Sequence, residues 1–501
     1  MSDGPDQSSS LSSEAEEKFP GFLTIFPSIM LPIFLAVVDQ TIVATALPAI
    51  AAATGELERV SWIVVGYLIA ATIAAPIYGR LGDAYGRRRL MFFALVLFML
   101  ASVLCALAPT IELLTAARVL QGVAGGGLMT LSQALIGESA PPRERARYQG
   151  YFAAVAVSAN SFGPVAGGIL TQHFGWESIF LINVPIGLVA LALAFRLPAR
   201  KPHQQHQWRA DPFGLVLFTV TVAAILLALE RAQHAKLDAL PLAGMLFAGG
   251  LIALVALIRH ESRTEAPLIP LTLLRMPAVW RSDAMALLHG AALVSLITFL
   301  PIYMQVVRGV SPSQTGLLLV PLTIGIGTSS LVIGRLVSRT GLTVVFPSIG
   351  FAVVTCNLIL LALTISTLSK EALAALLLWH GLFTGTVMGV VQVTVQVASG
   401  TARLGQASAT VQFSRSIGAA FGTALVAFTL FAVLSIKNPE AAGAFARMVQ
   451  QAGNAGPAHA GPQAGAMLAD IRAAFRAAFL LMAGFAAMGC VVTLSHPMRR
   501  I

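Results

Sequence analysis

Long uncharged apolar runs, separated by short clusters of arginine, glycine and proline, fill the chain from about residue 22 onward. A helix needs roughly 20 apolar residues to cross the hydrocarbon core of a bilayer. Reading between charges predicts spans at about 22–50, 60–79, 90–108, 112–136, 148–172 and 177–195. A second series follows at about 212–230, 239–258, 283–307, 312–334, 343–366, 372–396, 405–435 and 473–495. That makes fourteen. The runs are continuous and rich in Leu, Ala and Val, whereas a transmembrane barrel shows short segments of alternating polarity.

The polar stretches set the organisation. Residues 1–21, rich in Ser, Asp and Glu, read as a disordered tail. They lack the basic start of a signal peptide, so the first apolar run is expected to be retained as a span. An N-terminal group of six spans covers 22–197, and 198–211 is a polar linker. Two extra spans cover 212–260, 261–282 is a connector, and 283–501 holds the last six spans. The Ala/Gly-rich stretch 436–472 reads as a long outer loop. Arg472 and Arg476 at its end are four residues apart, so they can share the wet face of a short surface helix.

An internal repeat supports this division. Gly79-Arg80-Leu81-Gly82-Asp83-Ala84-Tyr85-Gly86 follows the second span, and Gly334-Arg335-Leu336-Val337-Ser338-Arg339-Thr340-Gly341 follows the tenth. The opening Gly-Arg-Leu and the closing Gly recur at the same spacing and in equivalent loops. The expected fold is therefore an all-α membrane protein of two pseudo-symmetric six-helix bundles, with two transmembrane helices inserted between them.

Charge gives an independent test of orientation. With the N-terminus inside, the ends and the even-to-odd loops collect most of the 32 Lys and Arg residues. Arg87, Arg88 and Arg89, then Arg143, Arg145 and Arg147, then Arg196, Arg200, Lys201 and Arg209 all fall on that side. Cytoplasmic ends and an inner-membrane location satisfy this bias. The net charge of +10 is thus spent on topology, and its scatter between apolar runs excludes a nucleic-acid surface. Composition agrees: 56% of residues are hydrophobic and 11% charged, against about 25% charged in soluble proteins. The mean hydropathy is +0.80. Cys105, Cys356 and Cys490 all lie in apolar runs and read as small buried hydrophobes.

Several motifs, taken together, resemble the fourteen-span drug:proton antiporters (EmrB/QacA-like) of the major facilitator superfamily. They are Asp39-Gln40-Thr41-Ile42-Val43-Ala44-Thr45-Ala46-Leu47-Pro48 in the first span and the loop Gly79 to Arg89. Arg118-Val119-Leu120-Gln121-Gly122 follows in the fourth span and Gly163-Pro164-Val165-Ala166-Gly167-Gly168 in the fifth. The resemblance covers about 30–495. It implies an exporter working by alternating access, driven by protons and carrying lipophilic or amphiphilic toxic compounds. There is a departure after the fifth span. Trp176-Glu177-Ser178 stands where the family usually has Trp-Arg-Trp, although Ile179 to Pro185 match.

The residues carry their own chemistry. Asp39 is read as the one carboxylate deep in a span, where a charge costs roughly 2.5–3.5 kcal/mol on insertion scales. It is expected to face the bundle interior, with Arg118 at a compatible depth, less than roughly 10 Å away along the axis at about 1.5 Å per residue. The resemblance implies that this arginine takes part in proton handling; the alternative is a static buried pair. Gly79, Gly82, Asp83, Gly86, Arg87 and Arg88 read as a cytoplasmic gate, with Asp83 accepting from the first N–H groups of a neighbouring helix. The alternative there is a turn with a positive anchor. Gly163, Gly167 and Gly168 present a smooth stripe, and Pro164 favours a kink, which suits a helix rocking between bundles.

Gln40, Gln121, Asn160, Asn183, His289, His380, Gln392, Gln396 and Gln412 are candidates for lining a cavity or bridging helices. Either histidine titrates in the relevant range when unperturbed. Arg415 can balance helix carbonyls, bind an anionic lipid or snorkel toward the cytoplasm. Glu230 is a weaker alternative to Asp39.

No phosphate-cradling loop, nucleophile elbow or metal-ligand spacing occurs in the sequence, so no cofactor, metal or enzymatic activity is expected. The expected partners are lipophilic small molecules, protons and membrane lipids, with an accessory periplasmic protein left open. Two alternatives stand beside drug efflux. One is a dedicated metabolite or peptide exporter of the same fold; the other is a non-transporting membrane sensor.

Overall fold

Proline, serine and threonine mark where the helices begin. Pro142, Pro277 and Pro312 occupy first-turn positions, where the missing N–H would have no partner in the helix anyway. Ser311 also caps the start at Pro312, and Thr110 and Ser369 cap two further starts; the three accept from the N–H groups of Gln314, Leu113 and Ala372. A computed structural model describes residues 22–56, 59–197, 211–233, 240–264, 267, 271–437, 445 and 462–501.

The helices of the first group are α1 (Phe22–Thr54), α2 (Trp62–Tyr85), α3 (Arg87–Ala106), α4 (Ile111–Ser139), α5 (Pro142–Phe174), α6 (Ser178–Leu181) and α7 (Asn183–Ala194). Then come α8 (Pro212–Gln233) and α9 (Leu240–Glu261). The last group is α10 (Leu271–Leu274), α11 (Pro277–Val306), α12 (Pro312–Thr340), α13 (Val345–Thr364), α14 (Lys370–Thr384), α15 (Met388–Ser399), α16 (Leu404–Lys437) and α17 (Pro462–Leu494).

Among the described residues thirteen helical stretches are long and apolar enough to cross a membrane. The fourteenth expected span is the apolar pair α6–α7, broken at Ile182. Pro185 explains the break, since proline in the third position of α7 suits a fresh helix start better than a helix interior. Many helices outrun their expected limits. Reading between charges stops at the first ionised residue, but the backbone stays helical past it. Hence α11 begins at Pro277, inside the expected connector 261–282, and α17 begins at Pro462, inside the expected loop 436–472. Arg472 and Arg476 lie exposed on α17 itself rather than on a separate surface helix. The tail 1–21 and all of the linker but Asp211 lie outside the described residues.

Two hydrophobic cores fix the architecture. One is built from α1–α7 around Phe98, Leu128 and Phe180; the other from α10–α17 around Tyr303, Phe351, Phe475 and Phe479. Two six-helix bundles result, and α8 and α9 belong to neither. They pack on each other and close a small core of their own, in which Phe218, Val222 and Leu257 meet Ile73 and Ile77 of α2 and Phe413 of α16. The rings of Phe218 and Phe413 are 5.5 Å apart. The inserted pair thus lies across one of the two seams between the bundles. On the other seam α5 meets α12, and a side chain at Gly150 would strike the Ser330 carbonyl.

Asp211 and His260 fasten the inserted pair at the arginine-rich face, with Nε2 to Oδ2 at 2.7 Å. Burial alone would raise the Asp211 carboxyl. The Gly214 N–H, His260 and Arg80 outweigh it and hold the carboxyl below its ordinary range. Near the same face, residues 499–501 bond to the loop after α12, with Ile501 N donating to Gly341 O at 2.9 Å. The cysteines differ from expectation: Cys105 is buried, but Cys490 is only partly covered and Cys356 is exposed. An apolar run leaves one face of each peripheral helix turned outward, and Cys356 falls on such a face.

Candidate functional site

The break between α6 and α7 turns Asn183 inward, and α4 and α1 bring Arg118 and Asp39 to the same point. Arg118 NH1 donates to Asp39 Oδ2 at 2.6 Å, and both side chains are fully buried. Asn183 Nδ2 and Gln121 Nε2 each donate to Asp39 Oδ1 at 2.8 Å. Gln121 also accepts from Arg118 at 2.7 Å and donates to Ser102 at 2.8 Å. The guanidinium lies over the Tyr67 ring at 4.2 Å, a cation–π contact in a dry setting. Close approach makes this possible, because a side chain at Gly122 would collide with the Tyr67 carbonyl. A buried charge is tolerable when it is paired and its remaining lone pairs are filled, and Asp39 meets both conditions.

At the arginine-rich face the two bundles are joined. Asp83, near the end of α2, accepts from Gly405 N at 2.9 Å and Gln406 N at 3.0 Å. These N–H groups belong to the first turn of α16 and have no partner within their helix. Arg87 pairs with Asp83 at 2.6 Å and with Glu138 at 2.5 Å. Gly86, at φ +97°, supplies the left-handed turn that sends α3 back alongside α2. Arg88 donates to the Phe195 carbonyl at 3.0 Å and stays within its own bundle. Gln396 of α15 adds a second tie, donating to the Gln133 carbonyl of α4 at 3.0 Å. Gln392 and Gln396 both donate to Ser408.

The glycine stripe of α5 faces elsewhere. Side chains at Gly163 and Gly167 would strike Thr41, Ile42 and Thr45 of α1, so the stripe packs within the first bundle. Gly168 has open space, and Pro164 and Asn160 are exposed. His289 and His380 are buried together inside the second bundle, His289 Nε2 lying 3.3 Å from the Thr384 carbonyl.

Between the bundles lies a cavity of about 460 Å³. Gln40, next to Asp39, lines it with Val65, Leu68, Ile69 and Thr72 of α2 and Met129 of α4. The second bundle contributes Val294 and Thr298 of α11, and Gln412, Arg415 and Ser416 of α16. Arg415 therefore faces the cavity instead of reaching for a membrane surface. Asp39 does not line it. Leu226 and Glu230 of α8 complete the wall.

Asp39 is not the only carboxylate deep in a helix. Asp283, two turns into α11, is buried, and neither carboxyl oxygen has a hydrogen-bond partner among the described residues. The hydroxyl of nearby Thr410 donates to the Ala407 carbonyl instead. Asp83 and Glu230 also lie inside helices. A charge that is used to end a span cannot be seen as part of it, which hides such residues from a reading between charges.

The Major Facilitator Superfamily profile matches residues 29–423. The multidrug transporter protein MdtP of Bacillus subtilis is 31% identical over 406 residues, covering 80% of this chain and 74% of that protein. An uncharacterised MFS-type transporter of Mycobacterium tuberculosis is 33% identical over 404 residues, covering 80% of this chain. The match spans 58% of the mycobacterial protein's own length. Among solved structures, the proton:xylose symporter XylE superposes with a TM-score of 0.62 at 14% identity, over 95% of this chain and 96% of that one. At that identity the likeness speaks for the fold alone.

Proposed function

The chain belongs to the Major Facilitator Superfamily, and from that premise we propose that it is a proton-coupled antiporter exporting lipophilic or amphiphilic toxic compounds by alternating access. The observation that carries this reading is the cavity of about 460 Å³, walled by both bundles and mostly apolar. Relatives named as multidrug transporters support the substrate class. In this reading the arginine-rich face is cytoplasmic, the membrane is the inner membrane, and both termini are inside, as the positive-inside bias favours. The tie of Asp83 to α16 then holds the cytoplasmic side shut.

Asp39 is the proton site. It is one residue from the cavity-lining Gln40, and Arg118, Gln121 and Asn183 hold it. Rearrangement of this network as the bundles rock lets the proton load and leave.

Proteoliposomes with an imposed pH gradient and a panel of lipophilic dyes test the proposal. Accumulation against the dye gradient that collapses with a protonophore is the expected result. Counterflow without any accumulation driven by the proton gradient sinks the coupling, and no counterflow with any dye or metabolite points to a sensor.

A further inference from the structure

One wall of the cavity belongs to neither bundle. Leu226 and Glu230 lie one turn apart on α8, so they share a face, and both line the cavity. The same helix is held in place by Phe218 and Val222, which pack against α2 and α16 two to three turns away. Glu230 sits in the last turn of α8, where the carbonyl end of the helix adds partial negative charge to that of the carboxylate. Next to it, Arg231 is 42% exposed, its Nε 3.8 Å from the carboxylate, and its guanidinium lies 5.6 Å from the Trp62 ring at the start of α2. The opposite charge on the lining is Arg415 of α16. The rest of the lining is largely apolar, which strengthens either charge relative to water.

We propose that the inserted helix α8 is a substrate-contacting wall, and that Glu230 sets charge selectivity, favouring lipophilic substrates with a positive group over neutral or anionic ones of the same shape. The proposal rests on the reading of the cavity as the transport site. A cationic group placed toward α8 gains from Glu230, and an anionic one loses there. The apolar body of the same molecule lies against the first bundle. Fourteen helices then differ from twelve in what they bind as well as in number, because the added pair supplies a charge that neither bundle provides on that side.

Tetraphenylphosphonium and tetraphenylborate test this, being matched in shape and opposite in charge. Binding of each is measured by equilibrium dialysis to the full-length protein in nanodiscs, with empty nanodiscs subtracted. Wild type is expected to prefer the phosphonium. Glu230→Gln should weaken it roughly tenfold and leave the borate unchanged or tighter, and Glu230→Asp should keep the preference. Leu226→Trp should weaken both probes by filling the cavity from the same wall. If Glu230→Gln and Leu226→Trp bind both probes within twofold of wild type while Met129→Trp weakens them, the cavity reading stands and the role of α8 is overturned. Failure of the wild type to bind either probe above background overturns both.

Discussion

Gly79 of α2 and Gly334 of α12 meet the opposite bundle in the same way. A Cβ at Gly79 would strike the Gly405 carbonyl near the start of α16, and one at Gly334 would strike the Ala146 carbonyl near the start of α5. Each glycine opens its copy of the Gly-Arg-Leu repeat. The duplication visible in sequence thus places two backbone contacts across the pseudo-symmetry axis, on either side of the same face.

Neither carbonyl can move without its helix, so Gly79→Val and Gly334→Val should each prise the arginine-rich face apart. Spin labels at exposed Arg89 and Arg403, in a background lacking exposed Cys356, should report a longer mean distance in both variants. An unchanged distance distribution would mean that the bundles are held by other contacts.

Asp83→Asn should act on the same equilibrium through charge. A hydrogen bond to an ionised group is worth roughly 1.5–3 kcal/mol net, and Asp83 accepts two from α16. The population closed at this face should fall about tenfold or more, read by the same label pair. Closed populations and transport both equal to wild type would reduce the loop to a turn with a positive anchor.

Asp39→Asn should abolish gradient-driven accumulation while counterflow of neutral substrates persists. It also leaves Arg118 buried without its counter-charge, for which a loss of about 3–5 kcal/mol is the reference. A lower Tm in a monodisperse protein is therefore expected alongside the transport defect. Uphill accumulation at the wild-type rate would make Asp39 a structural residue.

Asp283→Leu should raise the Tm. The carboxyl is buried with no hydrogen-bond partner among the described residues, and an unsatisfied buried polar group costs roughly 1–3 kcal/mol. A fall in Tm, measured in the same detergent as wild type, would show that the carboxyl has a stabilising role that the geometry does not display.

Asp211 gives a pH prediction. Its carboxyl is held below the ordinary range, so its contribution is present above about pH 4 and is lost as pH falls through the lowered value. The Tm difference between wild type and Asp211→Asn should be steady between about pH 5 and 6 and should close below about pH 4. A difference that persists under acid conditions would assign it to the helix-start bond to Gly214 rather than to the charge.

The sequence exposes most of the architecture because the spans are delimited by arginines, and topology is written in those same residues. Asp39 and Arg118 could be matched by depth alone, since rise per residue fixes how far each lies from its helix end. Direction around the helix axis is another matter. A helix that is apolar on every side offers no moment to orient it. For that reason the outward turn of Asn160, the contact of Gly163 and Gly167 with α1 and the cavity position of Arg415 could not be read in advance. Asp283 was hidden differently, because a charge that marks the start of a span is not counted within it; Glu230 was visible as a carboxylate but not as part of a cavity wall.

The inserted pair also makes the two seams unequal. Where α5 meets α12, the bundles touch directly and can separate by parting one surface. Where α2 meets α16, Phe218 of α8 rests on side chains from both. The proposed alternating access would slide those contacts over one another on that edge while the other edge comes free. The molecule resembles a book bound along one side, and a compound dissolved in the bilayer meets a covered spine on one flank and a bare fore-edge on the other.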